Sequence, residues 1–165
     1  RCRSGHDRTS QLAGAALAGA VLLAACASPP PGRTTVHAFR LLPGTDLRTG
    51  IQRYADEHDL QAAFVATAVG SVKTYALRFA DRSEPTTGTG PHEILALVGT
   101  VSKNGSHLHL TIGDGDGAVL GGHLVPGNHV YTTAEIVLVE SSDHVFTRAV
   151  DGSTPWAELQ IGWRR

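Results

Sequence analysis

The sequence predicts an α+β domain built mostly on antiparallel sheet, with one main helix. Three observations carry that class: several runs alternate apolar and polar residues with period two, one short stretch has apolar residues at helical spacing, and turn chemistry separates them. The 165-residue chain has 19 glycines and 8 prolines, and 41% of its residues are hydrophobic against 18% charged. That is the composition of one globular unit with a single core.

The elements follow in order. Val36–Leu42 alternates as a first strand and Pro43-Gly44 ends it. Thr45 or Asp46 offers a helix N-cap, and Leu47, Ile51, Tyr54 and Ala55 share one helical face, which predicts a helix to about His58. A buried strand over Ala62–Val69 is expected to break at Gly70-Ser71, with a sister strand over Val72–Ala80. Asp81–Pro91 lacks periodicity and reads as a mobile loop. Further strands are expected at Glu93–Val101, Ser106–Ile112, Val119–Val125 and Val130–Glu140, and Trp156–Trp163 as an edge strand. The domain is thus expected over 36–140, with a C-terminal extension over 141–165.

Residues 1–25 read differently. Arg1, Arg3 and Arg8 precede an uncharged Ala/Leu/Gly run from Gln11 to Ala25, the order of a secretory signal. The run ends in Leu23-Ala24-Ala25-Cys26, which resembles a bacterial lipobox, where the cysteine becomes the lipidated N-terminus. Ala27-Ser28-Pro29-Pro30-Pro31-Gly32 cannot continue a helix, so 26–35 reads as a Pro-rich tether. The alternative, a buried Ala/Leu helix with an incidental cysteine, fits that tail poorly. The expectation is a protein lipid-anchored through Cys26 to a membrane of the cell envelope, facing the periplasm or exterior. A formal net charge of −1 gives no electrostatic footprint for nucleic acid, and an exported protein has no access to the chromosome.

The chemical signal is histidine. In Ser106-His107-Leu108-His109-Leu110-Thr111-Ile112 the leucines and isoleucine face one side and His107, His109 and Thr111 the other. Gly113-Asp114-Gly115-Asp116-Gly117 is turn chemistry, and the chain returns through Gly121-Gly122-His123-Leu124. If those five residues form the hairpin loop, His123 lies opposite His107 and three imidazoles converge. A loop longer or shorter by one residue would turn His123 away. Three imidazoles with a fourth position open suit zinc or a similar divalent metal. Solvated polar-face histidines remain the plain alternative. Glu93 and Glu135 lie on strands that could supply an outer carboxylate to a ligating imidazole. Gly121 and Gly122 leave room for a small-molecule ligand or a neighbouring backbone. His37, His58, His92, His129 and His144 read as scattered surface residues.

The order of motifs resembles one family. Arg40-Leu41-Leu42-Pro43-Gly44-Thr45-Asp46-Leu47, Ala68-Val69-Gly70-Ser71-Val72, Glu93-Ile94-Leu95-Ala96-Leu97-Val98-Gly99-Thr100, His107-Leu108-His109-Leu110, Gly121-Gly122-His123-Leu124 and Thr133-Ala134-Glu135 are similar to the plants-and-prokaryotes-conserved (PPC, or PCC) domain. The resemblance implies an α+β sandwich assembled as a homotrimer, and a fold shared with acetolactate decarboxylase, where an H-x-H pair and a later histidine hold zinc. His107, His109 and His123 match that pattern. Bacterial members are often labelled predicted DNA-binding proteins. Plant members contact DNA through a separate Arg-Gly-Arg-Pro hook, which this chain lacks. The first expectation is therefore an exported, lipid-anchored, metal-binding trimer with an unknown ligand. A zinc-dependent decarboxylase- or esterase-like enzyme, and a cytoplasmic DNA-associated protein with a miscalled start, are the alternatives.

Overall fold

Alternating side chains drive most of this chain into strands. The structure, a computed structural model, describes residues 32–164; the expected signal over 1–25, Cys26 and most of the tether lie outside the described residues. In chain order the elements are β1 (Thr34–Leu41), α1 (Leu47–Glu57), β2 (Ala62–Arg78), β3 (Thr86–Ser102), β4 (Gly105–Gly113), β5 (Val119–Leu124), β6 (Val130–Ser141), β7 (His144–Ala149) and β8 (Glu158–Trp163). The first six strands form one sheet in the order β1-β6-β2-β3-β4-β5, and β7 and β8 form a separate ribbon. Every pairing is antiparallel. The end of β2 also pairs with β5, through Leu77–Leu124 and Arg78–His123. The sheet therefore curls until its β5 edge meets its own interior strand.

The expected α+β sandwich is overturned. One 11-residue helix stands against eight strands, two of them 17 residues long, so the domain is a mostly antiparallel β fold. Two local misreadings account for the difference. Gly70-Ser71 is not a turn: β2 runs through it with a register shift and Gly70 at φ 136°. A Cβ at Gly70 would collide with the Thr133 carbonyl oxygen on β6, so glycine there permits close strand approach. The polar segment from Thr86 is not a loop either. It pairs with β2 through Thr74–Thr89, Tyr75–Gly88, Ala76–Thr87 and Leu77–Thr86, because the ladder is backbone chemistry and needs no apolar alternation. The last strand is likewise not an edge of the main sheet. It pairs with β7, from His144–Trp163 to Ala149–Glu158, and the sequence reading had missed β7.

The core lies between α1 and the inner face of the sheet. Leu47, Ile51 and Ala55 of α1 pack there with Leu108, Leu110 and Ile112 of β4, all at most 2% exposed. Tyr54 is half-buried and stacks on Phe39 at 3.8 Å between ring centroids.

The helix is fixed by Asp46. Its Oδ1 accepts from the Thr49 backbone N–H at 2.8 Å, and its Oδ2 from those of Gly127 and Asn128 at 2.7 and 3.0 Å. Burial pushes the Asp46 pKa up, but the hydrogen bonds from Thr49, Gly127 and Asn128 outweigh it and leave it below the ordinary carboxylate value. Asn128, fully buried, continues the clamp. Its Oδ1 accepts from Ala76 N–H at 3.1 Å, and its Nδ2 donates to the Ala76 and Val125 carbonyls at 2.9 and 2.6 Å.

Replacing Asp46 with alanine should lower stability by about 1–3 kcal/mol in urea unfolding, since it removes a cap and two further charge-assisted bonds. A lowered carboxylate pKa stabilises the fold above the unfolded value near 3.9 and loses that contribution as pH falls through the folded one. The advantage of the parent chain over Asp46→Asn should therefore shrink below about pH 4. An advantage that stayed constant down to pH 2.5 would contradict this role.

Candidate metal centre

Three strand positions and one register make the site. On β4 the leucines and Ile112 face the core, so His107 and His109 project from the opposite face, where both are exposed. The β4–β5 loop spans the five residues Asp114–Ala118, with Gly113 paired to Val119. Asp114 closes it, its Oδ1 accepting from Asp116 N–H at 3.0 Å and Ala118 N–H at 2.8 Å. This register differs from the one expected: His123 lies opposite His109, not His107. The loop keeps its expected length but starts one residue later, so the pairing shifts by two. A shift of two preserves the face, and the three imidazoles still meet.

His107 Nε2 and His109 Nε2 each lie 3.1 Å from His123 Nδ1, and all three donor atoms fall within 4.8 Å of one another. Tetrahedral zinc at about 2.0–2.1 Å from each nitrogen would hold donors roughly 3.3–3.4 Å apart. Two of the three separations lie close to that spacing, and these three nitrogens could hold a metal. Shared imidazole hydrogen bonds account for the distances less well, because His123 Nδ1 would have to accept from both neighbours at once.

Burial, then Arg148, then His109 push the His107 pKa below its ordinary value, against a smaller opposing pull from Glu158. Burial, then Arg78, then the two neighbouring imidazoles do the same for His123. The cations have defined places. Arg78 is the cross-strand partner of His123, and the Arg148 guanidinium donates to Thr100 Oγ1 at 2.8 Å, where Thr100 is the partner of His107. Both shifts favour the neutral form of His107 and His123, the form that ligates metal.

Gly122 does not leave room for a ligand. A Cβ there would sit 2.9 Å from the Arg78 carbonyl oxygen, so its missing side chain admits the β2 backbone. The two carboxylates expected nearby are elsewhere. Glu93 is paired with Gly113 at the far end of β4, and Glu135 lies on β6 opposite Val69 of β2, far along that strand from Arg78, the partner of His123. Neither hydrogen-bonds an imidazole of the cluster among the described residues. The other histidines have local partners: His92 with the Gly90 carbonyl, His129 with Thr74, His144 with Ser141 and His58 with the Tyr54 carbonyl. His37 is less exposed than expected, with 15% of its side chain accessible and its Nε2 3.9 Å from Glu140.

Sequence reasoning missed the arginines and the ribbon. A cavity of about 990 Å³ opens beside the cluster, and its lining includes His107, His123, Arg48, Arg78, Arg82 and Trp156. Arg48 sits in the first turn of α1 and Arg78 ends β2, distant from the histidines in sequence. No local pattern announces that α1, the end of β2 and the β7–β8 connection meet at one place.

Histidines held at a lowered pKa stabilise the metal-free fold above their unfolded value of about 6.5 and lose that contribution as pH falls below it. The metal-free chain should unfold at lower urea concentration at pH 5 than at pH 7.5. In the His107→Gln/His123→Gln variant that pH dependence should be shallower, and an unchanged slope would show that these imidazoles are not held neutral by the fold.

A model of the Plants and Prokaryotes Conserved (PCC) domain matches residues 29–142. A bifunctional GlmU protein of Synechococcus is 46% identical over 132 residues, covering 80% of this chain and 21% of its own length. The chain thus spans about a fifth of the curated relatives it matches. Among solved structures, a hypothetical protein from Salmonella enterica superposes with a TM-score of 0.79 at 35% identity, covering 82% of this chain and 99% of its own. A metal-containing protein from Archaeoglobus fulgidus gives 0.65 at 28% identity over 79% and 94%. A protein from Bacteroides thetaiotaomicron, provisionally described as DNA-binding, gives 0.67 at 20% identity over 76% and 91%, which shows the fold alone. These comparisons do not show the kinship with acetolactate decarboxylase that the sequence implied, and that part of the fold expectation is set aside. With the matched model covering most of the described strands, the chain belongs to the Plants and Prokaryotes Conserved domain family.

Proposed function

We propose that this chain is a metal-binding member of its family, holding a divalent ion, zinc by preference, through His107, His109 and His123. The observation that carries this reading is the convergence of three imidazole nitrogens from two paired strands at ligand-to-ligand spacing. The archaeal structure described as metal-containing supports it. A bound ion would supply a Lewis-acidic position for an oxygen donor. The chain's own part is to hold the imidazoles neutral and aimed, by burial and by the neighbouring guanidinium groups.

Self-association belongs to the same reading. The face that carries the imidazoles is also apolar. Val36, Val139, Phe64, Thr100 and His107 are successive cross-strand partners across five strands, and Val36 and Phe64 are 65% and 44% exposed. Val98, the partner of His109, adds to this face at 55% exposed. Exposed apolar side chains gathered on one sheet face favour a protein interface, and a trimer of this chain is its proposed use. Export and lipid anchoring at Cys26 complete the proposal and rest on the lipobox-like Leu23-Ala24-Ala25-Cys26.

Native mass spectrometry of the purified chain should find about one zinc per subunit in a trimer, and the His107→Ala/His109→Ala variant should keep the trimer and lose the metal. A metal-free parent chain would end the metal reading, and a monomer would end the proposed assembly. In cells, radiolabelled palmitate should enter the parent chain and not Cys26→Ser. Equal labelling of both, or of neither, would remove the anchor from the proposal.

A further inference from the structure

We infer that the cavity beside the histidines is an oxyanion site, and that the chain's ligand is a small organic anion bearing a carboxylate or a phosphate group. The inference rests on the metal reading only for the contact between the anion's oxygen and the ion. Its other half stands on the arginines.

The cavity has a volume of about 990 Å³, the scale of a small-molecule site. Three arginines line it from three separate places in the chain: Arg48 from the first turn of α1, Arg78 from the end of β2, and Arg82 from the turn that follows. None of the three forms an ion pair among the described residues. Arg48 donates to the Ser106 carbonyl at a long 3.5 Å, and Arg78 to the Arg82 carbonyl at 3.3 Å. Most of their donors are therefore uncommitted to the protein. Two carboxylates also line the cavity, Asp81 and Glu158, and Glu158 already accepts from the Thr154 hydroxyl at 2.6 Å. The balance on the wall is still cationic, and Arg148 behind His107 adds to it. Guanidinium groups without protein acceptors, grouped in a concave site, fit a planar or tetrahedral oxyanion that takes paired N–H bonds.

An indole beside Arg78 gives the rest of the ligand its character. Trp156 is 67% exposed, and the Arg78 guanidinium carbon lies 5.9 Å from the centre of its ring. A flat or apolar group attached to the anion could lie on that indole while its oxygens meet the arginines. Trp156 and Ala157 come from the β7–β8 connection and Glu158 opens β8, and the family match ends at residue 142. The shared domain therefore supplies the histidines and three arginines, and the extension supplies the surface that would select among anions.

Titration calorimetry on the full chain, with and without one equivalent of zinc, tests this with two probes, inorganic phosphate and benzoate. At least one should bind at millimolar concentration or tighter, and binding should strengthen when zinc is present. Arg82→Gln, an exposed turn position that the fold does not depend on, should weaken that probe at least tenfold with zinc stoichiometry unchanged, and Arg78→Gln should weaken it at least tenfold as well. Trp156→Ala should weaken benzoate more than phosphate. A site that prefers phosphate points to a phosphate ester, and one that prefers benzoate to a carboxylate. No binding of either probe, or binding untouched by both arginine variants, overturns the inference. If zinc itself fails to bind, the metal reading falls separately, and the arginine half is judged on the metal-free chain by the same variants.

Discussion

The contact on which the site depends is the one between the end of β2 and β5. Arg78 can face His123 only because the sheet curls far enough for its β5 edge to meet an interior strand. That approach has two physical requirements. Gly122 must lack a side chain, since any Cβ would press on the Arg78 carbonyl. The β2 strand must also be held at Ala76, where buried Asn128 takes up both backbone groups. A buried amide with all of these partners satisfied is a rigid connection, because releasing any of them leaves an uncompensated polar group. Asp46 ties the same loop to the start of α1, and so to Arg48. Helix, sheet closure and cationic wall are thus one mechanical unit.

Much of this was legible in the sequence, and the reason is the period of two. On β4, alternation alone gives which residues are buried and which face carries His107 and His109. The N-cap at Asp46 was legible because short-range capping chemistry has a local signature. The pairing of His123 was legible only modulo two: turn residues told that a loop existed, while the Asp114 hydrogen bonds decide where it begins. The face survived that error because it depends only on parity.

What was not legible shares a cause. Gly70 reads as a turn because glycine tolerates positive φ, yet in β2 the same property allows close packing against Thr133 within a continuous strand. Thr86–Thr89 has no apolar alternation and pairs through its backbone. In both places the deciding feature is the backbone of a partner strand, which periodicity does not register. The α+β class failed for the same reason: segments read as a break and a loop became the long strands that make the fold mostly β.

Electrostatics then links the two halves of the site. A divalent ion among the three imidazoles would bring two positive charges beside Arg78, with Arg148 close to His107, and no carboxylate joins the cluster among the described residues. Like charges at this separation in a partly buried place oppose one another. The arginines that add to burial in favouring neutral His107 and His123 would also penalise an ion bound there. An anion reaching both the ion and the guanidinium groups relieves that repulsion at two points. Because coupling between two ligands is reciprocal, an anion that favours the ion is favoured by it to the same extent. On the proposed reading, the cationic lining and the histidine cluster would act together, each favouring the other's ligand.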